Sequence, residues 1–293
     1  MLEAIQRSTE FLTKKGVESA RLQTELLLAD VLKLPRMQLY LNFERELTTA
    51  ETEAFREFIR RRGRREPVQH IVGSTSFCGF EISVSPHVLV PRPETELLAE
   101  HGWTFLNQLA ASGPPTVNNG QSAITALDFG TGSGCLAIVL AAKCQCATVH
   151  ALDISGEAIV QARQTAARLG LADRIQFWEG DAFAALPSAI TFDLILSNPP
   201  YIPSAEIETL QIEVRDFDPR AALDGGADGL DFYRRLAAEA RPFLRTGGRL
   251  MLELGDGQAS LIVEMFEREK WIVEATQLDY NQKPRILIVR RSE

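Results

Sequence analysis

The chain has 293 residues, 45% of them hydrophobic and 24% charged, enough for a sizeable core and about two domains. Its 31 Lys and Arg against 39 Asp and Glu leave a formal net charge of −8, which disfavours direct nucleic-acid binding. No stretch approaches the ~18 consecutive apolar residues of a membrane helix, and no positive segment followed by an apolar run opens the chain. A cytoplasmic protein with no membrane partner is expected. Four cysteines without a C-x-x-C pair fit a reducing compartment, and four histidines without ligand spacing give no metal site.

Residues 1–70 read as a helical domain. Along 18–34, Ala20, Leu22, Leu26, Leu27 and Val31 recur at helical spacing, and Pro35 closes the segment. Thr48 or Thr49 caps the next helix, which carries acidic residues in its first turn and arginines in its last. The arginine run at 60–65 reads first as a solvated helix end, and second as a contact for an acidic partner surface or RNA. This domain holds 13 Lys and Arg against 11 Asp and Glu, a net of +2, which leaves −10 on the remainder.

Residues 71–90 switch to short β-like runs broken by Gly73, Gly79 and Pro86, and predict a β-hairpin linker. From 91 to 293 strand-like runs start at 123, 147, 174, 192, 248, 271 and 285, with helical segments between the first five. That alternation predicts an α/β domain with a parallel sheet. The Pro/Gly/Asn-rich stretch 112–122 reads as a surface loop.

Three features carry chemistry. In LDFGTGSG (127–134) a strand runs into Gly130, Gly132 and Gly134 and then a helix. The glycines allow a sharp turn and close approach of a ligand, and the helix start offers unpaired N–H groups. Cys135 stands where the dinucleotide pattern G-x-G-x-x-G requires its third glycine, so this is not that pattern. Asp153 ends the next strand, where a carboxylate can accept from two ribose hydroxyls or cap the following helix. Together these indicate a nucleoside-bearing cofactor without saying which. Finally, Asn198-Pro199-Pro200-Tyr201 follows an apolar strand. The prolines hold the Asn198 side chain and the Pro199 carbonyl rigid, as two acceptors for both hydrogens of a planar –NH₂ group. Tyr201 offers a flat face to a planar substrate.

N-P-P-Y behind D-x-G-x-G-x-G resembles the class I S-adenosylmethionine-dependent methyltransferases that act on planar amino groups. By itself it leaves open adenine in DNA, guanine in ribosomal RNA, or a protein glutamine. The segment 70–98, with VLVPRPETE at 88–96, resembles the protein-(glutamine-N5) methyltransferases of the HemK/PrmC type, as do 213–236, LELGDGQ at 252–258, the closing RILIV and the helical segment ESARLQTELLLADVL. The resemblance spans nearly the whole chain. It implies a Rossmann-like, mostly parallel seven-stranded sheet behind an N-terminal helical bundle and a β-hairpin linker.

The resemblance further implies S-adenosyl-L-methionine as cofactor, S-adenosyl-L-homocysteine as product, and the Gly-Gly-Gln glutamine of peptide chain release factors as substrate. A monomer is expected. Gly130, Thr131, Gly132, Ser133 and Gly134 would hold the cofactor's amino-acid portion, Asp153 its ribose, and the Ala182 backbone its adenine. Asn198 would meet cofactor and substrate, with Pro199, Pro200 and Tyr201 completing the catalytic and substrate-binding set. Arg92, Glu94 and Glu96 would shape the pocket or tie the linker to the sheet. The alternatives are a glutamine methyltransferase of a ribosomal protein and a nucleic-acid amino methyltransferase acting on adenine or guanine. The −10 balance of the catalytic half argues against a phosphate backbone there.

Overall fold

The computed structural model describes residues 1–113 and 124–292, so most of the 112–122 segment lies outside the described residues. The chain forms two compact units, Met1–Ser74 with Leu210–Phe217, and Thr75–Thr209 with Asp218–Glu293.

The first unit is helical: α1 (Leu2–Lys14), α2 (Ala20–Leu32), α3 (Arg36–Leu41), α4 (Thr49–Arg62) and α5 (Val68–Val72), joined by the one-turn helix Ile212–Arg215. Ile5, Leu12, Leu27, Leu28, Phe55 and Ile59 fill its core. Thr48 starts α4 with a capping box: its hydroxyl accepts from the Glu51 backbone N–H, while the Glu51 carboxylate accepts from the Thr48 N–H. Two of the apolar positions in the 18–34 pattern, Leu22 and Leu26, are exposed, whereas Thr24 and Glu25 are buried. The polar pair is tolerated because the Glu25 carboxylate accepts from Arg21, Arg36 and Tyr40, and the Thr24 hydroxyl donates to the Ala20 carbonyl.

The arginine run is largely engaged inside this unit. Arg60 pairs with Glu57 on the same helix, and Arg61 with Glu66 at 2.5 Å. Arg62, 3% exposed at its side chain, and Arg65 converge on Glu213 at 2.6 Å each.

The second unit begins with the hairpin of β1 (Ser74–Phe77) and β2 (Phe80–Ser83), followed by α6 (Pro93–Ala111). Strands β3 (Ile124–Phe129), β4 (Ala147–Asp153), β5 (Ile175–Glu179), β6 (Phe192–Ser197) and β7 (Leu244–Glu253) then alternate with α7 (Cys135–Lys143), α8 (Gly156–Arg168), α9 (Asp231–Glu239) and α10 (Ala259–Arg268). β8 (Trp271–Leu278) and β9 (Pro284–Arg291) close the sheet, whose order is β5-β4-β3-β6-β7-β9-β8. The first five strands run parallel and β9 is antiparallel to both its neighbours. Every residue of β6 is buried, as expected of a central parallel strand covered on both faces. Ala126, Leu194 and Leu196 pack in one core cluster with α6 and α7, and Leu127, Ile195 and Leu250 in another with α9 and α10.

Strand order reverses at β3, which has β4 on one side and β6 on the other. In such sheets the crevice beyond the carboxyl ends at the reversal is the ligand site. Gly134 brings the β3–α7 turn close to α8: at φ +81°, a Cβ there would stand 2.8 Å from the Ala162 Cβ. Gly134→Ala is expected to lower stability by about 1–3 kcal/mol through combined clash and backbone strain, read by urea unfolding. An unchanged midpoint would show that α8 yields freely.

Candidate active site

A cavity of about 620 Å³ opens at the carboxyl ends of β3, β4 and β6. Gly130, Thr131, Gly132, Ser133, Asp153, Ala182, Asn198, Pro199 and Pro200 all line it. Gly134 lies just behind, as the residue before α7. Its size falls within the ~300–1,000 Å³ usual for small-molecule sites.

The glycine turn is latched to the sheet, since the N–H groups of Gly130 and Thr131 both donate to the Leu152 carbonyl at 2.9 Å. Gly130 and Gly132 have positive φ and no atom within 4 Å of a built Cβ, so their faces are open to a ligand. Behind them lies Asp128, the acid of D-x-G-x-G-x-G, whose role the sequence alone does not give. Its carboxylate accepts from the Thr131 hydroxyl at 2.6 Å and the Ala137 N–H at 3.0 Å, pinning the turn and the start of α7 together. Burial pushes this carboxyl up to about 7 despite those two hydrogen bonds. The acid two residues before the first glycine was the available signal.

Asp153 ends β4 with its carboxylate accepting from the Gly132 N–H at 2.8 Å and the Ser155 N–H at 2.9 Å. A carboxylate offers about four lone-pair sites, so two remain for vicinal hydroxyls. Burial raises its pKa, against the opposing backbone N–H bonds. Asp153→Asn is expected to weaken binding of a nucleoside-bearing ligand by about 10- to 100-fold, read by calorimetric titration. Unaltered affinity would remove the ribose role.

After β5, Ala182 occupies the left-handed region at φ +52°, unusual for a residue with a Cβ. Its neighbour Asp181 also lines the cavity and pairs with Arg235 at 2.5 Å. Arg92 likewise lines the cavity and pairs with buried Asp218 at 2.5 Å, so both cations are matched by acids. Glu96 does tie the hairpin: it accepts from the Cys78 N–H at 2.6 Å.

At the end of β6, the Ser197 hydroxyl donates to the Phe129 carbonyl at 2.8 Å, fastening β6 to β3. Asn198 follows, its Nδ2 donating to the Thr95 hydroxyl at 3.1 Å. Tyr201 departs from expectation: it does not line the cavity. It packs half-buried against the core beside α9 and α10, and its carbonyl accepts from Gln258 at 2.9 Å. Burial pushes its phenol up to about 12. Two prolines turn the chain away from the strand before Tyr201, which accounts for the ring reaching the core rather than the cavity.

The open glycine turn, the carboxylate with spare acceptor sites and the cavity size fit a nucleoside-bearing methyl donor. Residues 3–73 match the family model of the PrmC N-terminal domain, and residues 121–285 that of a methyltransferase domain. The chain is 43% identical over 277 residues to the release factor glutamine methyltransferase of Geobacter sulfurreducens, covering 94% of this chain and 92% of that one. It is 44% identical over 265 residues to that of Chlorobaculum tepidum, covering 89% and 87%. The fold is also that of a methyltransferase from Pyrococcus furiosus, with a TM-score of 0.50 at 21% identity over 73% of this chain and 90% of that one. Matched along nearly all its length at this identity, the chain belongs to the release factor glutamine methyltransferase family, enzymes that take their methyl group from S-adenosylmethionine.

Proposed function

We propose that this enzyme methylates the side-chain amide nitrogen, N5, of the glutamine in the Gly-Gly-Gln motif of peptide chain release factors, with Asn198 and Pro199 as the residues that hold the amide. The observation that carries the residue assignment is the placement of Asn198, Pro199 and Pro200 in the cavity wall at the end of β6, facing the same space as Asp153 and the glycine turn. Its relatives' names supply the substrate class.

Bound S-adenosylmethionine supplies an electrophilic methyl carbon on a sulfonium. A glutamine amide nitrogen is a poor nucleophile because its lone pair is delocalised into the carbonyl. Asn198 Oδ1 and the Pro199 carbonyl accept the two amide hydrogens and aim the nitrogen. They also stabilise positive charge as it develops there. With the donor bound, the nitrogen's electron pair would form the new N–C bond as the C–S bond breaks to leave a neutral thioether, and the strongly acidic N-methylated amide would then lose its proton to solvent water. Orientation of this kind contributes on the order of several kcal/mol. Gly130, Thr131, Gly132 and Ser133 hold the donor's amino-acid portion, with Gly134 packing their turn against α8, Asp153 holds the ribose, and the backbone at Ala182 the adenine. Tyr201 acts from the core, bracing the N-P-P turn.

Incubation with labelled S-adenosylmethionine and a purified release factor, followed by mass mapping, tests the reading. Label on the Gly-Gly-Gln glutamine is expected. Label on nucleic acid, or on a ribosomal protein instead, would overturn it.

A further inference from the structure

Asn198 acts only if the correct end of its amide meets the substrate. Presenting Nδ2 would set two –NH₂ groups against each other, donor to donor. The choice is made by Thr95, which lines the same cavity wall. Thr95, buried in the first turn of α6, donates its hydroxyl proton to Glu253 Oε2 at 2.7 Å. Glu253 ends β7 and is 1% exposed. An ionised carboxylate only accepts, and a threonine hydroxyl has one proton. With that proton committed to Glu253, Thr95 Oγ1 can only accept from Asn198, so it selects Nδ2, at 3.1 Å. Among the described residues no donor engages Asn198 Oδ1.

We propose that Thr95 and Glu253 are positioning residues, a relay that locks the Asn198 amide with Oδ1 turned to the substrate. This rests on the assignment of Asn198 above and deepens it. The three residues come from α6, the end of β6 and the end of β7, so the relay also fixes Asn198 relative to the sheet.

The relay has a direction, and protonating Glu253 reverses it. A protonated Glu253 donates to Thr95, which then donates onward, and the Asn198 end that satisfies it is Oδ1. Burial pushes the Glu253 carboxyl up to about 7, against the lowering hydrogen bond from Thr95. The charged and titratable groups facing it are Arg285 of β9, Arg92 and Glu94 at the start of α6, and the phenols of Tyr201 and Tyr233. Turnover therefore falls on the acid side as Glu253 takes up its proton.

The test compares Thr95→Val, Thr95→Ser, Glu253→Gln and Asn198→Ala in the full-length enzyme. Thr95→Val keeps the shape and removes the hydroxyl. It is expected to lower kcat by about 10- to 100-fold while S-adenosylmethionine affinity stays within about twofold. Thr95→Ser is expected to recover kcat to within about threefold. Glu253→Gln keeps an acceptor for Thr95 but does not titrate, so the acid limb of its kcat–pH profile should flatten. A kcat for Thr95→Val within about threefold of wild type, equal loss in Thr95→Ser, or an unchanged acid limb in Glu253→Gln each overturns the relay. Should Thr95→Val fail to fold, the serine variant and the pH profile decide. An active Asn198→Ala would instead refute the assignment beneath it; an inert Asn198→Ala beside a normal Thr95→Val refutes the relay alone.

Discussion

Asn198→Ala is expected to lower kcat for glutamine methylation by about 100- to 1,000-fold or more, with S-adenosylmethionine affinity changed only by a modest factor. On the proposed mechanism the substitution removes Oδ1, one of two acceptors for the amide hydrogens, at the point where charge develops on nitrogen. What remains is the Pro199 carbonyl, a single acceptor that leaves the amide free to rotate about one hydrogen bond. The glycine turn and Asp153, proposed above as the donor's main contacts, follow β3 and end β4 and are untouched. Rapid-quench turnover and calorimetric binding separate the two effects. Near-normal methylation would remove Asn198 from the mechanism, and collapse of donor binding would recast it as a cofactor residue.

The largest expected stability change lies in the helical unit. Arg62 donates to Gln23, to the Glu66 carbonyl at 3.2 Å and to Glu213 at 2.6 Å. Arg62→Ala removes the donor from three acceptors, of which one is a carboxylate only 17% exposed that keeps Arg65. A loss of about 2–4 kcal/mol is expected by denaturant unfolding, the remaining partner Arg65 limiting it. The same cluster sets an acid limit. Burial pushes the Glu213 carboxyl up, but hydrogen bonds from Arg65 and Arg62 outweigh it and hold the group down at about 2, from an ordinary 4.5. A carboxyl depressed by folding contributes fully above its unfolded pKa and loses that contribution as pH falls toward the folded one. Stability should therefore decline from about pH 4.5 to 2, and Glu213→Gln should flatten that part of the curve. Parallel curves for wild type and variant would show that Glu213 carries no such linkage.

What the sequence made legible was local. The strand–glycine–helix junction, the acid ending β4 and N-P-P-Y are each contiguous runs whose chemistry is readable in order, and the structure gathers all three at one cavity. The short connection between β8 and β9 fits the hairpin that turns the sheet antiparallel at its edge. The contacts that stayed hidden join residues far apart in the chain. Thr95 and Glu253 are separated by 158 positions and Arg62 and Glu213 by 151. No periodicity marks such pairs. Nor could apolar spacing reveal that Leu22 and Leu26 face solvent while Glu25, held by three donors, is buried. Tyr201 was misdirected for a related reason: a motif names its residues but not which way each ring turns after two prolines.

The segment Leu210–Phe217 has a consequence for how the protein is made. It belongs to the helical unit, yet it follows that unit's main stretch only after β1 to β6 have been synthesised. At roughly 5–20 residues per second, the ribosome needs about 7–30 s to pass from Ser74 to Phe217. Until then Arg62 and Arg65 emerge without Glu213. The first unit to leave the tunnel thus cannot complete its fold until most of the second has been made, and a nascent chain halted before residue 210 should display an N-terminal region more open to protease than the finished enzyme.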